Sequence, residues 1–227
     1  MTSKSALLVI DIQHDFLPGG SLAVNDGNKI IPGVLDLINT DKYNWDAVVF
    51  SQDWHPKDHI SFASNHENIK PFEEIEFTST KDSSIKLKQT VWPNHCIQHC
   101  HGANFPDELT TAYRNIHSPK TIIQKGTLHD RDYYSAFNDV WDDDQTGLSD
   151  FLKENKITDI YLVGLAYDYC VKFSAESSAK LGFNTTVIKS LSKPIHSDKI
   201  NETDKFYKQN NVEIIDENDD KLKALLK

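Results

Sequence analysis

Six short apolar runs set the limits on what this chain can fold into: residues 7–10, 47–50, 121–124, 160–163, 185–188 and 212–215. Each is continuous rather than alternating, which marks a strand buried on both faces. Amphipathic stretches separate them. Residues 30–39 place Ile31, Val34, Leu35 and Ile38 on one helical face, and residues 105–116 do the same with Leu109, Ala112, Tyr113 and Ile116. Further helices are expected around Phe151, over 171–181 with Gly182 as the stop, and over about 198–207. Strand and helix in turn predict a three-layer α/β fold, with a mostly parallel central sheet and helices on both faces. No internal repeat or low-complexity linker interrupts the pattern, so one domain over 1–227 is expected. The exception is a polar excursion at about 61–90, read as a lid or short hairpin over the carboxyl edge of the sheet. The tail from Asp216 is charged and reads as peripheral.

The formal charge of −10 and the lack of a basic stripe argue against nucleic acid or an anionic membrane as partner. No apolar run approaches the length of a membrane span, and residues 1–5 lack the apolar core of a signal peptide. Cys96, Cys100 and Cys170 do not make a disulfide framework, which favours a reducing interior, with the cytoplasm as the expected compartment. Cys96 and Cys100 flank His99, yet no second cysteine pair completes a zinc knuckle. The expected partner is a small molecule, and a homo-oligomer is left open.

Polar residues gather where the apolar runs end. Ligands of open α/β sheets bind outside the carboxyl ends of the strands. Asp11 follows the first run; Asp53, His55 and His59 follow the second; Lys125 follows the third. Any one of them has an ordinary reading as a turn cap or a solvated surface residue. Asp53 and His55 are two apart and share a face in extended backbone, a two-pronged holder for a divalent metal that needs a third ligand from His59 or His95. Cys170 ends Val163-Gly164-Leu165-Ala166-Tyr167-Asp168-Tyr169-Cys170, where a strand hands over to a helix. A helix start lowers a thiol pKa and offers free N–H groups to an oxyanion, whereas a lone cysteine is more often buried structure. No Gly-x-Gly-x-x-Gly follows the first strand, which argues against a dinucleotide site.

Six segments in order carry a resemblance: Asp11-Ile12-Gln13-His14-Asp15-Phe16, Gly20-Ser21-Leu22, Asp53-Trp54-His55-Pro56, Trp92-Pro93-Asn94-His95-Cys96, Lys125-Gly126 and Gly164 to Cys170. Together they resemble the nicotinamidase/pyrazinamidase family of the isochorismatase-like cysteine hydrolases. The excursion and Arg131-Asp132-Tyr133-Tyr134-Ser135-Ala136-Phe137 look most like its fungal branch. The resemblance implies hydrolysis of nicotinamide to nicotinate and ammonia in NAD salvage, through a cysteine thioester. It implies Cys170 as nucleophile, Asp11 as general base and later acid, and Lys125 as third member of the triad. It further implies Asp53, His55 and His95 as ligands of one divalent metal, zinc being the commonest, with the place of His59 open. Backbone N–H groups of Ala166 and Cys170 would form the oxyanion hole beside a cis Leu165–Ala166 bond, and Phe16, Trp92 and Tyr169 would line the pocket. His14, Thr127 and His129 depart from the family pattern and bear on fine substrate preference.

Two other readings compete. A related amidase acting on a carbamoyl or ureido group would share Cys170, Asp11 and Lys125 but would not need the metal holder. An inactive metal-binding interaction module would be expected to have lost one triad member. Isochorismatase chemistry itself does not use a cysteine nucleophile.

Overall fold

The computed structural model describes residues 3–227. The six apolar runs become β1 (Ser5–Ile10), β2 (Ala47–Asp53), β5 (Lys120–Lys125), β6 (Asp159–Leu165), β7 (Asn184–Lys193) and β8 (Val212–Ile215). They form one sheet in the order β5-β2-β1-β6-β7-β8, and every adjacent pair is parallel. Most strands reach beyond their apolar runs, because pairing with a neighbour holds polar residues such as Gln52 and Asp53 in the ladder.

Successive side chains of a strand point to opposite faces, and β1 supplies both halves of the core. Leu7 and Val9 pack with α1 (Ile31–Ile38) and α2 (Asp107–Arg114). Ala6, Leu8 and Ile10 pack on the other side with α3 (Leu148–Glu154), α4 (Cys170–Lys180) and α5 (Ile200–Gln209). The three layers therefore follow from central strands with no solvent-facing side. In α1 the buried residues are Ile31, Val34, Leu37 and Ile38, so Leu37 takes the inward place expected of Leu35, which is half-buried. The tail is not merely peripheral. Its short helix α6 (Asp220–Lys223) buries Leu222, and Leu225 O accepts the Asn44 N–H at 2.8 Å.

The excursion contains an antiparallel hairpin, β3 (Glu74–Thr78) with β4 (Lys86–Thr90). Phe77 anchors it in a small cluster with Ala63 and Val91, while Ile85 and Leu87 stay exposed. Arg131 Nη2 to Thr80 Oγ1 at 3.0 Å and Lys81 Nζ to Asp143 O at 2.7 Å tie its turn to the segment after β5. Among the described residues no helix is long and apolar enough to cross a membrane.

The chain builds outward from β1 twice, first through β2 to β5 and later through β6 to β8. The reversal falls between β1 and β6, where a crevice forms at the carboxyl ends. Gly164 makes that junction tight. Its φ is +139°, and a Cβ there would overlap the Ile10 carbonyl, so only glycine lets the two strand ends approach.

Candidate active site

Four strand ends converge on the crevice. Asp11 lies one residue past β1, Asp53 ends β2, Lys125 ends β5, and Cys170 opens α4 five residues past β6. All four are buried, Asp11 and Lys125 to 1% exposure. Asp11 adopts a left-handed φ of +48°, a conformation Asp tolerates better than most residues, and Ser51 Oγ donates to its Oδ1 at 2.7 Å.

Lys125 is the hub. Its Nζ lies 2.9 Å from Asp11 Oδ2, donates to Tyr133 O at 2.9 Å and to Cys170 Sγ at 3.5 Å, and makes a short ion pair with Asp53 Oδ1. The Asp11 contact is an ion pair without hydrogen-bond alignment, so Oδ2 keeps a lone pair free. Ligand atoms of Asp11, Asp53 and Cys170 all lie within 4.8 Å of one another. One ammonium thus joins a thiol and two carboxylates.

The other oxygen of Asp53 faces two imidazoles. His55 Nε2 is 3.5 Å and His95 Nε2 3.7 Å from Asp53 Oδ2. Each ring turns its Nδ1 to a backbone carbonyl, His55 to Gly126 O at 2.9 Å and His95 to Pro93 O at 2.7 Å. A carbonyl only accepts, so both protons sit on Nδ1 and both Nε2 lone pairs turn inward. Two imidazoles and a carboxylate with converging lone pairs are a donor set suited to a divalent ion such as zinc. Gln13 holds the end of β2 in place: its Nε2 donates to Asp53 O and its Oε1 accepts the Asp53 N–H, each at 2.8 Å.

Electrostatics follow from this burial. Burial raises the Asp11 carboxyl above the ordinary carboxylate range, against the pull of Lys125. Burial would raise Asp53 too, but Lys125 and His55 together hold it well below that range. Burial alone would lower Lys125, yet Asp11 and Asp53 keep it firmly protonated. Burial pushes the Cys170 thiol well up, with Lys125 pulling the other way. His95 is lowered to about 4 by burial and by His55, and is neutral in ordinary conditions.

Over these groups lies a cleft walled by Phe16, Trp92, Tyr134, Tyr169 and Ile195. Trp92 and Tyr169 meet edge to face at 4.9 Å, and Trp92 Nε1 donates to Tyr134 Oη at 3.2 Å. The cleft measures about 20 Å³, room for a water molecule or so, and an aromatic ring must part these walls to enter.

A family model for the isochorismatase domain matches residues 5–218. The chain belongs to the isochorismatase family. Within that family it is 36% identical to the nicotinamidase of Saccharomyces cerevisiae, over 92% of this chain and 98% of that protein. The solved structure of the yeast nicotinamidase superposes with a TM-score of 0.88 at 36% identity, covering 93% of this chain and 99% of that one. The pyrazinamidase of Pyrococcus horikoshii, solved in complex with zinc, superposes with a TM-score of 0.71 at 28% identity, covering 94% and 99%.

Ten of the residues singled out in the sequence lie at the crevice: Asp11, Lys125, Cys170, Asp53, His55, His95, Ala166, Phe16, Trp92 and Tyr169. One expectation is overturned. The Leu165–Ala166 bond is trans, as are all peptide bonds of the described residues, and the turn is made instead by a left-handed Ala166 at φ +59°. His59 stands apart from Asp53 and His95. Its ring lies 4.1 Å from that of His55 between centroids, tilted by 35°, and it groups with His55 and Asp132. Sequence reasoning missed Asp132, Tyr134 and Ile195 as cleft residues, and Ser51 as the partner of Asp11. Asp132 and Tyr134 sit inside the matched 131–137 segment, which was the available signal.

Proposed function

We infer that this chain is an amidohydrolase that deamidates nicotinamide to nicotinate and ammonia, a step of NAD salvage. One observation carries the reading: Lys125 ties a Cys170–Asp11 pair to the Asp53-His55-His95 donor set across a single cleft. An amidase of carbamoyl groups needs the first part and has no use for the second.

In this account the Cys170 proton passes to Asp11 as sulfur attacks the carboxamide carbon. A depressed carboxylate such as Asp53 would make a poor base, whereas the raised Asp11 is better matched to a thiol. The Lys125 ammonium stays protonated and favours the charge-separated state by Coulomb attraction in a nearly dry site. The tetrahedral oxyanion is received by the Ala166 and Cys170 N–H groups. The Ala166 carbonyl takes the N–H groups of Tyr169 at 2.9 Å and Val171 at 3.1 Å, leaving the intervening Cys170 N–H out of that turn. Losing one such donor costs about 3 kcal/mol in comparable sites. Asp11 returns the proton to nitrogen, ammonia leaves, and a nicotinoyl thioester remains on Cys170. Asp11 then takes one proton from water as the hydroxyl adds to the thioester. The carbon–sulfur bond breaks, that proton restores the Cys170 thiol, and the nicotinic acid released ionises to nicotinate.

Asp53, His55 and His95 would hold a divalent ion, most simply zinc. When bound it supplies a Lewis acid for the pyridine nitrogen, which orients the ring. Phe16, Trp92, Tyr134 and Tyr169 clasp the ring faces and exclude water. The direct test is ammonia release from nicotinamide set against N-carbamoylsarcosine. Hydrolysis of nicotinamide alone is expected, and preference for the carbamoyl compound would overturn the reading.

A further inference from the structure

Past Tyr134 and Tyr169 the cleft adjoins a groove of about 1140 Å³ that the chemistry above does not use. Residues of α4 and α5 form one wall, and residues of β4 with the 134–142 segment form another. Beside Tyr169, Lys172 stands over three rings. Its Nζ is 4.6 Å from the centroid of Phe173, 5.2 Å from Phe206 and 5.6 Å from Tyr169.

A half-buried ammonium ordinarily finds a carboxylate, and Lys172 has none within ion-pair distance among the described residues. Its acidic neighbours are engaged elsewhere. Asp168 accepts the N–H groups of Ile195 and His196 at 2.8 Å each, and Glu176 pairs with Lys180 at 2.8 Å. Four further lysines line the groove, Lys199 among them, in a chain of net charge −10. Glu74, Asp142 and Glu202 line the groove as well, which disfavours a polyanion and selects for a single negative charge.

We propose that this end of the groove is a second binding site, for a flat aromatic monocarboxylate. The carboxylate meets the Lys172 ammonium as a charge-assisted pair, and the ligand ring lies against Tyr169, Phe173 and Phe206. The product of the function inferred above is an ion of this class, and Tyr169 borders both spaces. Product leaving the cleft thus passes directly into the groove, a link that rests on that function.

The test is titration calorimetry of the wild-type chain with pyridine-3-carboxylate, benzoate and acetate, beside ammonia release from nicotinamide on the same preparation. Two molecules of pyridine-3-carboxylate should bind per chain. Benzoate should also take the groove site, and acetate should not. Lys172→Met should weaken the groove site at least tenfold, Phe206→Leu should weaken benzoate binding, and Lys172→Arg should retain both. Binding that is unchanged by Lys172→Met at every site, or a groove site that accepts acetate, overturns the proposal. Groove binding without nicotinamide hydrolysis would sink the inferred function and leave the site standing; hydrolysis with binding unchanged by Lys172→Met would do the reverse.

Discussion

The Lys125 Nζ and the Asp11 Oδ2 lie 2.9 Å apart with both residues 1% exposed, and the same Nζ also touches Asp53. One buried cation therefore serves two buried carboxylates. Removing it leaves both uncompensated, a change that costs about 3–5 kcal/mol for a single buried pair. Lys125→Met should lose nearly all turnover and lower the urea midpoint sharply. Adding Asp53→Asn to Lys125→Met should recover part of the stability and none of the activity, as read by urea denaturation and ammonia release.

Asp11 as the proposed base predicts an acid limb in the rate. The base must be ionised, and burial raises its pKa, so kcat/KM should climb with pH through a value above the ordinary carboxylate range. Asp53 makes stability pH-dependent as well. Its folded pKa is depressed, so its stabilisation is present above the unfolded value of about 3.9 and is lost as pH falls from there. Asp11→Asn should abolish the limb and lose several orders of magnitude in rate. A pH profile that keeps the limb in Asp11→Asn would assign the base elsewhere.

Gly126 should prove a metal-site residue without donating a ligand atom. It sits at φ +65°, its carbonyl fixes His55, and a Cβ there would run into the His55 ring. Gly126→Ala is expected to displace that ring and weaken metal binding about 10–100-fold, the range seen when supporting partners of ligands are altered. Metal content after dialysis against graded chelator checks this, with circular dichroism to show that the fold persists.

Much of this arrangement was legible because central strands carry their apolar residues in unbroken runs, and the polar residue ending each run marks the sheet edge. Asp11 and Lys125 were found that way, and Cys170 by the turn from strand to helix. What escaped depends on contacts far apart in sequence. Lys125 reaches Asp53 as well as Asp11 only because β5 pairs with β2 in a register that sets Asp53 opposite Lys125. Tyr134 and Asp132 come from an irregular segment whose path no periodicity reveals. Leu37 displaced Leu35 because a short helix turns its face according to what it packs on, here α2 and β7.

The donor set predicts a role for the ring nitrogen. Benzamide matches nicotinamide in shape and lacks that lone pair, so it should be poorer by roughly two to three powers of ten in kcat/KM. Pyrazinamide keeps a nitrogen in the same relation to its amide and should remain a substrate. Chelation should erase the gap between nicotinamide and benzamide. A gap that survives chelation would mean the ion does not act on the ring.

The nucleophile is the centre of the account, and a thioester is its signature. Wild-type chain quenched in acid during turnover of nicotinamide, digested and mapped by mass spectrometry, should carry a nicotinoyl group on the peptide containing Cys170. Cys170→Ala should show no adduct and no ammonia release while still binding metal. A nicotinoyl group on Cys96 or Cys100, or turnover by Cys170→Ala, would contradict the mechanism at its root.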